Sequence, residues 1–207
     1  MHHVLGFLLS ARTNAAGLTV LALLTLTGDQ GRAEDVSFSR DVMAVLSKAG
    51  CNMGACHGNA KGKGGFRLSL RGQDTAFDHA QLSGSQRIDR LRPTQSLILL
   101  KSTGRTAHQG GTRFREGSPE YQVLQQWIAA GAPGPNKNES LLKKLEVEPR
   151  YQVVVAPQED LHLQATAIFS DGSRRDITRM ATYETSNLKA SVDHDGLARI
   201  IHEFGNF

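Results

Sequence analysis

The hydrophobic pattern of this 207-residue chain changes period once. As far as residue 133 it is helical. Val42, Val45, Leu46 and Ala49 recur on one helix face, predicting a helix over about residues 40–49 with Ser39 as its cap and Gly50 just beyond its end. Phe66, Leu68 and Leu70 alternate with Arg67, Ser69 and Arg71, so that piece is expected to be extended and half buried. Asp74 caps a short predicted helix that ends near Leu82, with Phe77 facing inward. Pro93-Thr94 opens another, whose apolar face is Leu97, Ile98 and Leu100. The strongest helix signal is Ser118-Pro119-Glu120, with serine as the cap, proline in the first turn and an acid at the positive end of the dipole. Tyr121, Leu124, Trp127 and Ile128 form the buried stripe of that helix, and Gly131 and Pro133 stop it.

Residues 133–139 have the composition of a linker, and beyond them the period becomes two. Leu161, Leu163, Ala165, Ala167 and Phe169 alternate with His162, Gln164, Thr166 and Ile168, as in a strand with one buried face. Asp171-Gly172 and Asp195-Gly196 are tight-turn dipeptides. Val153-Val154-Val155 and Ala190-Ser191-Val192 supply further strand material. The expected fold class is therefore multidomain α + β, with a small all-α domain followed by an all-β sandwich.

Residues 1–33 read as a secretory signal: a weakly basic start ending at Arg12, an apolar run over residues 15–27, and small residues at Gly31 and Ala33 ahead of Glu34. The run is too short and too rich in threonine for a good membrane span, with an uncleaved anchor as the alternative. An exported, periplasmic or secreted, protein is expected, with no membrane span after signal cleavage. Net charge is only +4, the basic residues are scattered and aromatics make up 6%, so nothing argues for nucleic acid.

The candidate chemistry lies at Cys51-Asn52-Met53-Gly54-Ala55-Cys56-His57-Gly58, which holds both cysteines of the chain. Two thiols and an adjacent imidazole are what covalent c-type haem attachment uses: Cys51 and Cys56 for the thioethers, His57 as proximal iron ligand. The spacing is C-x-x-x-x-C-H, two residues longer than the usual motif, and the extra residues are expected to bulge as a small loop over residues 52–55. A Cys51–Cys56 disulfide is the other reading, and spacing alone leaves both open. Zinc is the poorer fit, because adjacent Cys56 and His57 cannot easily share one tetrahedral ion. The glycine-rich residues 58–65 fail as a phosphate loop: three residues, not four, separate Gly58 from Gly62, and Lys63 precedes Gly64. Arg67 or Arg71 could pair with a haem carboxylate. Residues 103–117 form a long polar loop of the kind that often carries function. His79 is placed in a surface helix, and His162 and His194 read as surface residues. No Ser-His-Asp set or carboxylate pair stands out, so no hydrolase is expected.

Residues 36–133 resemble the planctomycete-type cytochrome c domain. The carriers include Phe38-Ser39-Arg40-Asp41-Val42, Cys51 with Cys56-His57-Gly58, Gly64-Gly65-Phe66, His108-Gln109-Gly110-Gly111 and Trp127-Ile128-Ala129-Ala130-Gly131. From about Leu145 the chain resembles the group 2 bacterial immunoglobulin-like domain, through Val147-Glu148-Pro149, the run over residues 163–173, Asp176-Ile177-Thr178 and Asp195-Gly196-Leu197. After Leu197 it departs from that family, so a truncated domain is expected. The resemblance implies residues 34–133 as a haem domain, 134–144 as a linker and 145–207 as the immunoglobulin-like part. It implies covalently attached haem c, single-electron transfer rather than catalysis, and an unidentified redox partner protein. It also places His108 as the best sixth ligand, since Met53 sits inside the attachment loop, Met43 feeds it and Met180 is in the other domain. The alternative function is a non-haem secreted module, clipped by the disulfide, that contacts protein or glycan through its immunoglobulin-like domain.

Overall fold

Val42, Val45 and Leu46 are buried as their spacing predicts, in a helix that starts as a π-helical turn, Phe38–Val42, and continues as α1, Met43–Lys48. The computed structural model describes residues 36–84, 86–155, 159–186 and 189–201, and the expected signal sequence lies outside them. The cap of this helix is Ser37 and not Ser39: Ser37 Oγ accepts from Arg40 N at 3.0 Å, and Asp41 Oδ2 accepts from Ser37 N at 2.8 Å. The reciprocal bonds start the helix earlier because they let Phe38 enter the core.

Helix α2, Thr75–Ser83, has the expected cap, with Asp74 Oδ1 accepting from Phe77 N. Its inward residues are Leu82 and Asp78, while Phe77 is half buried under the Arg67 guanidinium. Burial pushes the Asp78 carboxyl up, against hydrogen bonds from Ser69 N and Oγ. Those bonds hold the segment before α2, which joins no ladder beyond a single bridge between Lys63 and Phe66. Leu68 is buried, but Leu70 enters a 3-10 turn, Leu70–Gly72, and is 44% exposed, so the expected alternation ends there.

Helix α3, Leu97–Ser102, follows a 3-10 turn at Pro93–Gln95. Its core residue is Leu99, and the predicted face of Leu97, Ile98 and Leu100 is only half buried. Four consecutive apolar residues in so short a helix leave the buried face undetermined by period. Helix α4, Pro119–Ala129, is as predicted: Ser118 Oγ accepts from Tyr121 N, and Tyr121, Leu124, Trp127 and Ile128 are buried. The Trp127 ring lies 5.3 Å from that of Phe38. His79, expected in a surface helix, is half buried on α2. Its ring meets Phe38 edge-on at 5.0 Å, and its Nε2 lies 3.0 Å from the Ala132 carbonyl.

The remainder forms two three-stranded antiparallel sheets. In one, β1 (Leu142–Glu148) pairs with β3 (Gln164–Phe169), which pairs with β4 (Arg174–Asp176). In the other, β6 (Leu197–Ile200) lies between β2 (Asp160–His162) and β5 (Ala190–Val192). The single strand expected over residues 161–169 is thus divided between sheets at Leu163, whose N–H turns to the Gly196 carbonyl. Beyond the break the alternation holds, burying Ala165, Ala167 and Phe169. Val153, Val154 and Val155 join no strand, and β1 begins at Leu142 within the stretch expected as linker. Helices and sheets pack in one compact unit. Arg175 Nη1 meets the buried Asp41 carboxylate at 2.6 Å, Lys48 reaches the Arg179 and His194 carbonyls, and Met180 lies against the helical core. Among the described residues no helix is long and apolar enough to cross a membrane.

Candidate functional site

The two-cysteine loop is a closed, hydrogen-bonded turn. Cys51 N donates to Leu46 O as the chain leaves α1, and the Cys51 carbonyl then accepts from His57 N at 3.0 Å. Asn52 is fully buried, donating from Nδ2 to Ser47 Oγ while its carbonyl accepts from Arg71 N. It anchors the loop and does not belong to the bulge, which is confined to the exposed residues 53–55. A Cβ on Gly58 would stand 2.0 Å from the Asn52 carbonyl oxygen, so only glycine closes the turn here.

His57 is half buried and leaves this loop into a cleft. Its Nδ1 is 3.0 Å from the Phe66 carbonyl, and its ring lies against the Phe66 ring at 4.7 Å. The glycine-rich segment is what delivers that carbonyl. Gly64 and Gly65 both take positive φ between the bridged residues Lys63 and Phe66, a reversal that side-chain-bearing residues disfavour. His108 is placed by the long polar loop, which is tied to the end of α3 by bonds from Thr106 N to Leu100 O and from Arg113 N to Ser102 O. Its Nδ1 lies 2.9 Å from the Gly111 carbonyl. A carbonyl can only accept, so in each imidazole Nδ1 carries a proton and Nε2 is the nitrogen left facing other partners. Burial pushes the His57 pKa down, opposed by the bond to the Phe66 carbonyl, with the positive charge of Arg87 adding to the lowering.

The two rings are nearly parallel, 10° apart in plane, with centroids separated by 6.4 Å. The rings are stacked side by side in the cleft. The Nδ1–carbonyl bonds are the supports that metal-ligating histidines use to fix tautomer and ring orientation. Among the described residues no group of three or more His, Cys, Asp or Glu side chains could hold a metal ion.

The cleft between them has a volume of about 660 Å³, within the usual range for small-molecule and cofactor sites. Leu46, Phe66, Leu97 and Ile98 contribute apolar wall, and Cys51 and Cys56 join them. Lys63, Arg87 and Lys101 supply positive charge, and among the described residues no carboxylate lines the cleft. Arg87 stacks on the Phe66 ring at 4.2 Å. Arg67 lies over Phe77 and Arg71 lines a separate hollow, so neither of the arginines expected from sequence lines the cleft, whereas Arg87 does.

Cys51 and Cys56 are free thiols. Burial pushes the Cys51 thiol from 9.0 up to about 11, opposed by the charge of Arg113 and reinforced by that of Cys56. The folded state therefore holds this proton more tightly than the unfolded chain. The resulting stability is complete below pH 9 and is lost as pH rises through about 11. In urea unfolding of the cofactor-free protein, the midpoint should fall over that window more steeply than in Cys51→Ser.

All four residues singled out from sequence, Cys51, Cys56, His57 and His108, thus line one cleft, and His162 and His194 do not. Arg87, Arg113 and Asn52 were missed. Phe66 was read as a buried side chain, and nothing in its pattern pointed to its carbonyl. No protein-family model matches the chain, and no curated protein matches it.

Proposed function

We propose that this chain is an exported c-type haem-binding protein that transfers single electrons. Cys51 and Cys56 would carry the thioethers, and His57 and His108 would ligate the iron. One observation carries the reading: two imidazoles, each tied through Nδ1 to a carbonyl, share a cleft with both thiols. The bound group would supply one-electron exchange between ferric and ferrous iron. The chain's own contribution is separate from that chemistry. Leu46, Phe66, Leu97 and Ile98 exclude water, and Lys63, Arg87 and Lys101 offer partners to the haem carboxylates. Paired histidines in place of His/Met ligation would keep the potential low, since methionine raises it.

The helical segment is, on this reading, a cytochrome c-like domain, and the paired antiparallel sheets are the immunoglobulin-like part. An external redox protein would be the electron partner, with protein or glycan contact through the sheets. The test is expression in a host with haem-attachment machinery, followed by absorption spectroscopy and intact mass. A Soret band and a mass increment of one covalent haem are expected. A colourless protein of unmodified mass would overturn the proposal.

A further inference from the structure

Arg113 is half buried, yet among the described residues it pairs with no carboxylate. Arg174, Arg175 and Arg199, in the sheets, and Arg179, in the turn after β4, all carry acidic partners. Withdrawing a guanidinium from water without an anion is unfavourable unless its donors are used. Arg113 uses one on a sulfur: Nη2 donates to Cys56 Sγ at 3.8 Å. The same nitrogen lies 3.0 Å from where a Cβ on Gly110 would stand, and that Cβ would also meet His108 Cε1 at 2.7 Å. Nη1 approaches the corresponding point on Gly50, at the exit from α1, to 3.9 Å. Arg113 N, meanwhile, fixes its own backbone to Ser102 O at 2.7 Å. One side chain therefore spans the start of the cysteine loop, the second cysteine and the loop that carries His108.

We infer that Arg113 is a positioning residue for haem attachment, holding the Cys56 sulfur at the cleft and bracing the His108 loop against it. The inference rests on the haem-binding reading above. In each attachment an S–H adds across a vinyl C=C. A C–S and a C–H bond form, the S–H and the π bond are consumed, and no oxidant or reductant takes part. What the protein must supply is a thiol held where the vinyl carbon arrives, which is an orientational demand. Arginine meets it through its planar fork, whose separate donors can reach the sulfur and the neighbouring loop together.

The test compares wild type, Arg113→Gln and Arg113→Lys, each produced with the attachment machinery. Intact mass reports covalent haem, the pyridine haemochrome band separates two thioethers from one, and Trp127 fluorescence reports the fold. Arg113→Gln should lower the ratio of doubly to singly attached haem about fivefold, the factor that one net hydrogen bond contributes. The remaining single attachment should be through Cys51, and Arg113→Lys should restore the ratio in part. A folded Arg113→Gln protein with the wild-type ratio overturns the assignment. If Arg113→Gln does not fold, a folded Arg113→Lys protein with the wild-type ratio does so. Failure of the underlying reading looks different, because the wild type itself would then take up no haem.

Discussion

His108→Ala should convert the haem-loaded protein from a low-spin to a high-spin spectrum while leaving the covalent mass unchanged. Added imidazole should restore the low-spin form. The expectation follows from which groups share the cleft. Met43 and Met180 line the separate hollow on the far side of α1, and Met53 sits in the exposed bulge of the cysteine loop. His79 is engaged with the Ala132 carbonyl and wedged against Phe38 and Trp127. His108 alone among the histidines and methionines of the described residues lines the cleft with His57. Its removal also deletes the bond to the Gly111 carbonyl, so the variant leaves room and no competing internal base. His108→Met should raise the reduction potential by ~0.1 V, a fraction of the ~0.8 V over which axial ligands set haem potentials. A low-spin spectrum in His108→Ala without added imidazole would remove His108 from the iron.

These assignments were legible in the sequence to unequal degrees. Cys51, Cys56 and His57 stood out because both thiols of the chain lie within one short stretch that ends in an imidazole, although spacing alone left haem and disulfide open. Helix α4 was legible because cap, proline, stripe and stop all agree over eleven residues. Short elements were not. Helix α3 has six residues, and its apolar run permits several faces, so Leu99 could not be told from its neighbours. The break at Leu163 was hidden because a strand that changes sheets keeps its period of two while its hydrogen-bond partners change. Arg87 and Arg113 were illegible for another reason. A charged residue in an irregular loop has no periodicity, and its role is set by residues distant in sequence: Phe66 for one and Cys56 for the other.

Trp127→Ala should destabilise the fold by about 3–5 kcal/mol, the range for deleting a large aromatic from a packed core. Trp127 is wholly inaccessible and is the single tryptophan of the chain. Its ring meets Phe38 at 5.3 Å and His79 at 6.2 Å, so it joins α4 to both the first helix and α2. Its Nε1 donates to the Pro133 carbonyl at 2.9 Å, binding the chain that leaves α4 back onto the core. Trp127→Phe keeps most of the apolar volume but loses that bond, and should cost the smaller ~0.5–1.5 kcal/mol of one hydrogen bond. Far-UV circular dichroism in urea measures both, since the tryptophan signal is lost. Trp127 does not line the cleft, whereas Leu46 belongs to both core and cleft wall. The alanine variant should therefore lower the unfolding midpoint while molecules that remain folded still bind haem. Equal midpoints for the alanine and phenylalanine variants would show that the indole's volume is not what holds these helices together.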